Sequence, residues 1–220
     1  MKNETLKAII FDLDGTLVDT SEGVVASAAH AIEALGLEAL SHDELLQFIG
    51  PPLQDSFVRL CGCCSDEVPS AIEAFRACYR GGAMFKARPY DGVRELCEQL
   101  TSKGLKLAVA TSKLEKYAVE ILRHFGLASY FDCICGADED GALSKADNIK
   151  RCVACLGCEP TKCVMVGDTE YDAAGAATAG VRFIAVTYGF GFRNRDDVAE
   201  CACVGVASTS LEVLEVLAEG

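Results

Sequence analysis

No apolar stretch in this sequence approaches the ~20 residues that a membrane-spanning helix needs, so no bilayer crossing is expected. Basic residues are also scarce. Twenty Lys and Arg stand against 33 Asp and Glu, a net charge of -13, which argues against nucleic-acid polymers and anionic membranes as partners, since both are polyanions. A small phosphorylated ligand is not excluded, because a bound cation and one or two lysines reverse the field locally. Histidine is limited to His30, His42 and His124. None lies in a motif, so none receives a catalytic role. The start, Met1-Lys2-Asn3-Glu4-Thr5, lacks signal-peptide anatomy and runs straight into a strand-like segment, which predicts a cytoplasmic protein. Internal repeats and low-complexity segments are missing too.

What the sequence does have is apolar residues in quantity, half of its 220 positions. That is enough for a sizeable core without disulfides or structural metal. The 13 cysteines are read as thiols in a cytosolic chain of this size. Their clusters, Cys61, Cys63 and Cys64 and the run Cys152, Cys155, Cys158 and Cys163, show no zinc-finger spacing. They pack as small apolar groups, and no metal is assigned to cysteine.

Short β-rich runs alternate with helical stretches, the pattern of an α/β fold: a Rossmann-like parallel sheet with helices on both faces. Strands are predicted over 7–11, 105–111, 131–135, 163–167, 181–187 and 204–207. Helices are predicted over 91–103, 114–125, 145–156, 171–179 and 211–218. Residues 21–85 break the alternation and read as consecutive helices over 21–35, 41–49, 53–60 and 65–79. Ser41 followed by Glu44 fits a capping box, and Gly50-Pro51-Pro52 is a breaker. The expected organisation is a core of 1–19 and 87–220 with an inserted helical cap of 20–86.

Asp12-Leu13-Asp14-Gly15-Thr16 directly follows the first predicted strand. Ligands of open α/β sheets bind beyond the carboxyl ends of strands. Residues two apart on a strand face the same way, so Asp12 and Asp14 address one site. Two such carboxylates repel unless a cation lies between them, and Gly15 permits close backbone approach to an anion. An Asp-Gly pair alone marks a turn equally well. A second acid-bearing strand end, Gly167-Asp168-Thr169-Glu170-Tyr171-Asp172, makes the case. Asp168 and Asp172 are spaced to approach a hard cation, and magnesium favours such oxygen ligands. Between the two motifs, Thr111 and Ser112 close a strand and offer hydroxyls to phosphate oxygens. Lys145 opens a helix and places an ammonium where a phosphate would need one.

These residues resemble the haloacid dehalogenase superfamily over nearly the whole chain. DLDGT at Asp12 to Thr16, Thr111, Lys145 and GDTEYD at Gly167 to Asp172 follow the family's four motifs in order. The resemblance implies Asp12 as nucleophile and magnesium ligand. It makes Asp14 the general acid/base, with its main-chain carbonyl on the metal. Thr111, Ser112, Gly15 and Lys145 bind the phosphoryl group, Asp168 is a further metal ligand, and Asp172 supports the metal's surroundings. Many relatives carry Lys-Pro at the third motif, where this chain has Lys145-Ala146-Asp147.

The helical insert resembles the cap of the phosphoglycolate-phosphatase-like branch, which closes over the site and selects substrates. The implied activity is magnesium-dependent hydrolysis of a small phosphorylated metabolite, phosphoglycolate being the type case, through an aspartyl phosphate. Phe48 to Pro52 and Thr111-Ser112-Lys113 also resemble 5'-nucleotidase-like members, which makes nucleoside monophosphates the alternative. A phosphomutase and a non-catalytic phosphate-binding protein are weaker readings, because every residue needed for turnover is present and no mutase-type cap arrangement is recognisable. The sequence leaves monomer and homodimer both open.

Overall fold

The computed structural model describes residues 6–139, 141–199 and 201–219. Met1 to Thr5, on which the expected location rests, lie outside them. The chain divides into two compact units, Met1–Asp19 with Pro89–Gly220, and Thr20–Arg88.

The first unit is built on a parallel sheet of β1 (Ala8–Phe11), β4 (Lys106–Leu114), β5 (Cys133–Ala137), β6 (Cys163–Gly167), β7 (Arg182–Val186) and β8 (Gly205–Ala207), in the order β5-β4-β1-β6-β7-β8. Its helices are α5 (Val93–Ser102), α6 (Glu115–His124), α7 (Lys145–Leu156), α8 (Glu170–Ala179) and α9 (Glu212–Glu219). Strands β1 and β6 are buried along their whole length, as expected for parallel strands covered on both faces. Alternation assigns the two faces. Ala8, Ile10, Ala108, Ala110, Cys163 and Met165 join Ile149, Cys152, Val153 and Leu156 of α7 and Ala176 and Ala179 of α8 in one apolar cluster. Ile9, Phe11, Leu107, Val109, Val164 and Val166, also buried, face the other way.

Chain order places β1 between β4 and β6. The first two ligand-bearing loops therefore leave adjacent carboxyl ends, where an open α/β sheet forms its binding crevice. The predicted strand over 105–111 runs on to Leu114, with a register shift between Ala110 and Leu114. Such an irregularity re-aims side chains at a strand end, here those of Thr111, Ser112 and Lys113.

The second unit consists of α1 (Ser21–Ala34), α2 (His42–Leu46), α3 (Leu53–Cys61) and α4 (Val68–Arg80). Two short strands, β2 (Val18–Asp19) and β3 (Arg88–Pro89), pair as a separate two-stranded sheet. The Ser41–Glu44 capping box is formed. Helix α2 ends earlier than the predicted 41–49 because its last turn tightens: Phe48 and Ile49 donate to Leu45 and Leu46, three residues back. Helix α4 begins at Val68 rather than Ser65, with Pro69 in its first turn, where a missing N–H costs nothing. No helix among the described residues is long and apolar enough to cross a membrane.

Candidate active site

The chain leaves β1 without leaving the sheet: Asp12 N donates to Val166 O at 2.9 Å. Leu13 O then accepts from both Leu17 N and Val18 N, at 3.0 and 2.9 Å, which closes a tight turn around Asp14 and Gly15. Gly15 has φ +79, and a Cβ there would lie 2.2 Å from Asp168 Oδ2. Only glycine lets the loops after β1 and β6 approach this closely. Gly15→Ala is expected to cost more than about 2 kcal/mol, from left-handed strain plus overpacking. Urea unfolding measures it, and an unchanged midpoint would mean the turn relaxes freely.

Asp168 leaves β6 fully buried. Its Oδ2 accepts from Phe190 N at 2.8 Å and Gly191 N at 3.2 Å, and its Oδ1 faces Thr16 Oγ1 at 3.4 Å. The loop after β7 that supplies those amides is part of the site and was not anticipated from sequence. A Cβ at Gly189 would come within 2.4 Å of both Asp168 Oδ2 and Gly15 O, and the Tyr188 hydroxyl donates to Thr16 O at 3.0 Å. The available signal was Gly189-Phe190-Gly191 just past a buried strand, a backbone suited to close approach.

Asp172 does two things at once. Its Oδ2 accepts from Thr169 N (3.1 Å) and Thr169 Oγ1 (2.6 Å), completing the capping box that starts α8. Its Oδ1 lies 2.8 Å from Lys145 Nζ. The acidic helix start and the last acid of the motif are therefore the same residue, and the cap fixes where its second oxygen points.

Lys145 is the first residue of α7, entered through a capping box between Ser144 and Asp147. Where relatives carry proline this chain has Ala146-Asp147: the Asp147 carboxylate accepts from Ser144 N at 3.0 Å and the Ser144 hydroxyl oxygen accepts from Asp147 N at 3.2 Å, so the helix start is fixed without a preset φ. Lys145 Nζ lies 2.8 Å from Asp12 Oδ1 as well as from Asp172, and donates to Ala110 O at 3.3 Å. Burial acts to lower its pKa, but Asp12 and Asp172 outweigh burial and hold it above the ordinary lysine value. The ammonium thus persists inside the protein. Its stem crosses Gly175, where a Cβ would meet Lys145 Cγ at 2.8 Å.

Thr111 is buried at the bulged end of β4, and its hydroxyl oxygen accepts from Lys113 N at 3.2 Å. Asn148 of α7, fully buried, donates to Thr111 O at 3.0 Å and ties the β4 end to the helix bearing Lys145. Ser112 is half-buried beside it. Asp14 turns towards this strand end: its Oδ2 lies 3.1 Å from Lys113 Nζ, with both side chains 9% exposed. Lys113 as the partner of Asp14 was not assigned from sequence.

Every residue singled out in the motifs thus lies at the carboxyl ends of β1, β4 and β6 or at the starts of α7 and α8. The oxygens that gather are those of Asp12, Asp168 and Asp172, all within 4.8 Å of one another and all buried. Burial first, then Asp172, pushes Asp12 well above the usual carboxylate range and Asp168 up to about 7. Four carboxylates, counting Asp14, share two ammonium groups, an excess of negative charge that a divalent cation would cancel. The donor set is all oxygen, which suits a hard ion such as Mg2+. The residues therefore fit the cation that the motifs imply.

A parallel sheet that collects carboxylates, a buried lysine and a threonine at its central strand ends defines an α/β enzyme acting on an anionic centre. Residues 9–186 match the sequence model of the haloacid dehalogenase-like hydrolases, and the chain belongs to that family. It is 39% identical over 217 residues to tyrosine-protein kinase PtkA of Mycobacterium tuberculosis, covering 97% of this chain and 73% of PtkA. It is 38% identical over 184 residues to a 5'-nucleotidase of Pseudomonas aeruginosa, covering 83% of each. A predicted phosphatase from Clostridium acetobutylicum has a crystal structure that superposes with a TM-score of 0.93 at 32% identity, covering 99% of this chain and 100% of that one. The chain is an enzyme of the family's phosphatase type.

Proposed function

We propose that the chain hydrolyses phosphomonoesters of small metabolites, with Asp12 as the nucleophile. The observation that carries this reading is Lys145 Nζ at 2.8 Å from both Asp12 and Asp172, beside buried Asp168 and Thr111. It is a buried cradle that a divalent cation would bring into charge balance, with a carboxylate beside its ammonium.

Phosphoryl transfer demands positioning and compensation of charge on the equatorial oxygens more than bond chemistry from the protein. Asp12 attacks phosphorus and forms an aspartyl phosphate. Lys145 and the Thr111 hydroxyl, with Ser112 beside it, hold the phosphoryl oxygens. Protonated Asp14 delivers its proton to the leaving alkoxide. As a carboxylate, held by Lys113, it then takes a proton from the water that opens the acyl phosphate. Splitting one displacement into two is covalent catalysis. Asp12, Asp168 and the Asp14 main-chain carbonyl would hold Mg2+, with Asp172 fixing their surroundings, and the ion would supply further charge compensation on the phosphoryl oxygens.

The helical residues 20–86 are assigned the choice of leaving group. A phosphoglycolate-like organic phosphate and, as the alternative, a nucleoside 5'-monophosphate are the two substrates to compare, the first supported by phosphoglycolate phosphatase relatives and the second by the 5'-nucleotidase relative. Phosphate release from a panel of both, with sugar phosphates and inorganic pyrophosphate, decides between them. Mg2+ is expected to support turnover and EDTA to abolish it. The same panel run with ATP and a tyrosine peptide covers the activity that PtkA is named for. Phosphopeptide formation without phosphate release from any ester would overturn the hydrolase reading.

A further inference from the structure

Four of the cysteines form two close pairs, Cys133-Ile134-Cys135 and Cys152-Val153-Ala154-Cys155. On β5 the two-residue step turns Cys133 and Cys135 to one face. On α7 the three-residue step keeps Cys152 and Cys155 on neighbouring positions of one side. Helix α7 packs on β5, and the sulfurs of Cys133, Cys135 and Cys152 lie within 4.8 Å of one another. Cys155, three residues on from Cys152 along α7 and exposed, lies on the open side of this group as its fourth candidate ligand. We propose that Cys133, Cys135, Cys152 and Cys155 form a second metal site, a thiolate cage for a closed-shell cation of the zinc type, separate from the carboxylate cradle.

The geometry lies near what such an ion requires. Zn–S bonds of about 2.3 Å in a tetrahedron place the sulfurs about 3.8 Å apart, so the separations of up to 4.8 Å among Cys133, Cys135 and Cys152 close with shifts of about 1 Å or less. Exposure is graded across the group. Cys152 is fully buried, with its Sγ 3.2 Å from Val109 O. Cys135 is buried, Cys133 half-buried and Cys155 exposed, which gives an entry side and a closed side. Arg151, next to Cys152 on α7, donates to Gly136 O beside Cys135 at 2.9 Å and pairs with Glu115 at 2.7 Å, which places a cation beside a thiolate cage.

The ligand type also separates the two sites. Sulfur donors select zinc-like ions, whereas the oxygen donors of Asp12, Asp168 and Asp172 select magnesium. Packing alone would be served by alanine or valine and needs no convergence of sulfurs from two elements. Each thiol gives up its proton as its sulfur joins the cation. A filled cage pins α7, the helix that starts with Lys145, against the sheet.

The test titrates the full-length protein, kept reduced by a phosphine, with Co2+ and then Zn2+. A sulfur-to-cobalt charge-transfer band is expected to saturate at one equivalent and to disappear on adding Zn2+. Oxygen ligands at the acid cluster give no such band, so Asp168→Asn leaves it unchanged. Cys155→Ser is expected to weaken binding at least about tenfold, no less than the loss of an outer-shell partner, and Cys133→Ser with Cys155→Ser to remove the band. Both are only partly buried or exposed, and a circular-dichroism melt confirms that the variants fold. Cys61→Ser with Cys64→Ser leaves the band intact. A folded, reduced protein without the band at stoichiometric Co2+, or a band that survives the double Cys133/Cys155 replacement, would overturn the site. Recovery of these four residues as disulfides from protein alkylated at lysis would also overturn it, in favour of a redox pair.

Discussion

Asp12→Asn is expected to lower turnover by at least about 10⁴-fold, the scale seen when a covalent nucleophile is removed, while leaving thermal stability unchanged or higher. The two effects diverge for one physical reason. Asp12 is 2% exposed, and burial together with Asp172 penalises its charged form. An amide keeps its shape and relieves that penalty, and Lys145 retains Asp172 as a partner at 2.8 Å. On the proposed mechanism the carboxylate is held for chemistry at the expense of stability, as active-site groups often are. Phosphate release and a thermal melt without added Mg2+ measure both quantities on one preparation. Turnover within about tenfold of wild type would sink the covalent mechanism. A large drop in melting temperature would mean that Asp12 is chiefly a structural partner of Lys145.

The acids and the lysine of the proposed site were placed from sequence because their signals are local. Asp12 and Asp168 follow apolar runs that become β1 and β6, and a strand end tells where its next residue points. Lys145 and Asp172 sit on helix starts marked by capping boxes. What stayed hidden depends on which elements become neighbours. The amides of Phe190 and Gly191 reach Asp168 across more than twenty residues of chain, and nothing near them names a partner. Lys113 meets Asp14 only because β4 runs beyond Thr111 through a bulge. The cysteines show the same limit most clearly. Along the chain, Cys152 and Cys155 group with Cys158 and Cys163. In space Cys152 meets Cys133 and Cys135, because α7 returns over β5.

Lys145→Met is expected to affect stability and rate together, unlike the Asp12 substitution. Methionine matches the length of the stem but removes the charge. Asp12 and Asp172, each 2.8 Å from Nζ, then face each other and Asp168 without compensation, since Lys113 is engaged with Asp14. Breaking a buried ion pair from one side typically costs about 3–5 kcal/mol. Loss of one preorganised cationic contact to the transferring group lowers kcat by about 10²–10³-fold or more. Lys145→Arg is not expected to rescue either loss. The stem passes Gly175 with no room for even a Cβ, which would lie 2.8 Å from Lys145 Cγ, and a planar guanidinium needs more width than an ammonium. Urea unfolding and single-turnover phosphate release separate the two effects. If stability falls while the rate holds, Lys145 is only a structural counter-ion, and the phosphoryl contact belongs to another group. If the rate falls while stability holds, the three carboxylates tolerate one another without the ammonium. The charge argument for a divalent cation in this cradle would then lose its footing.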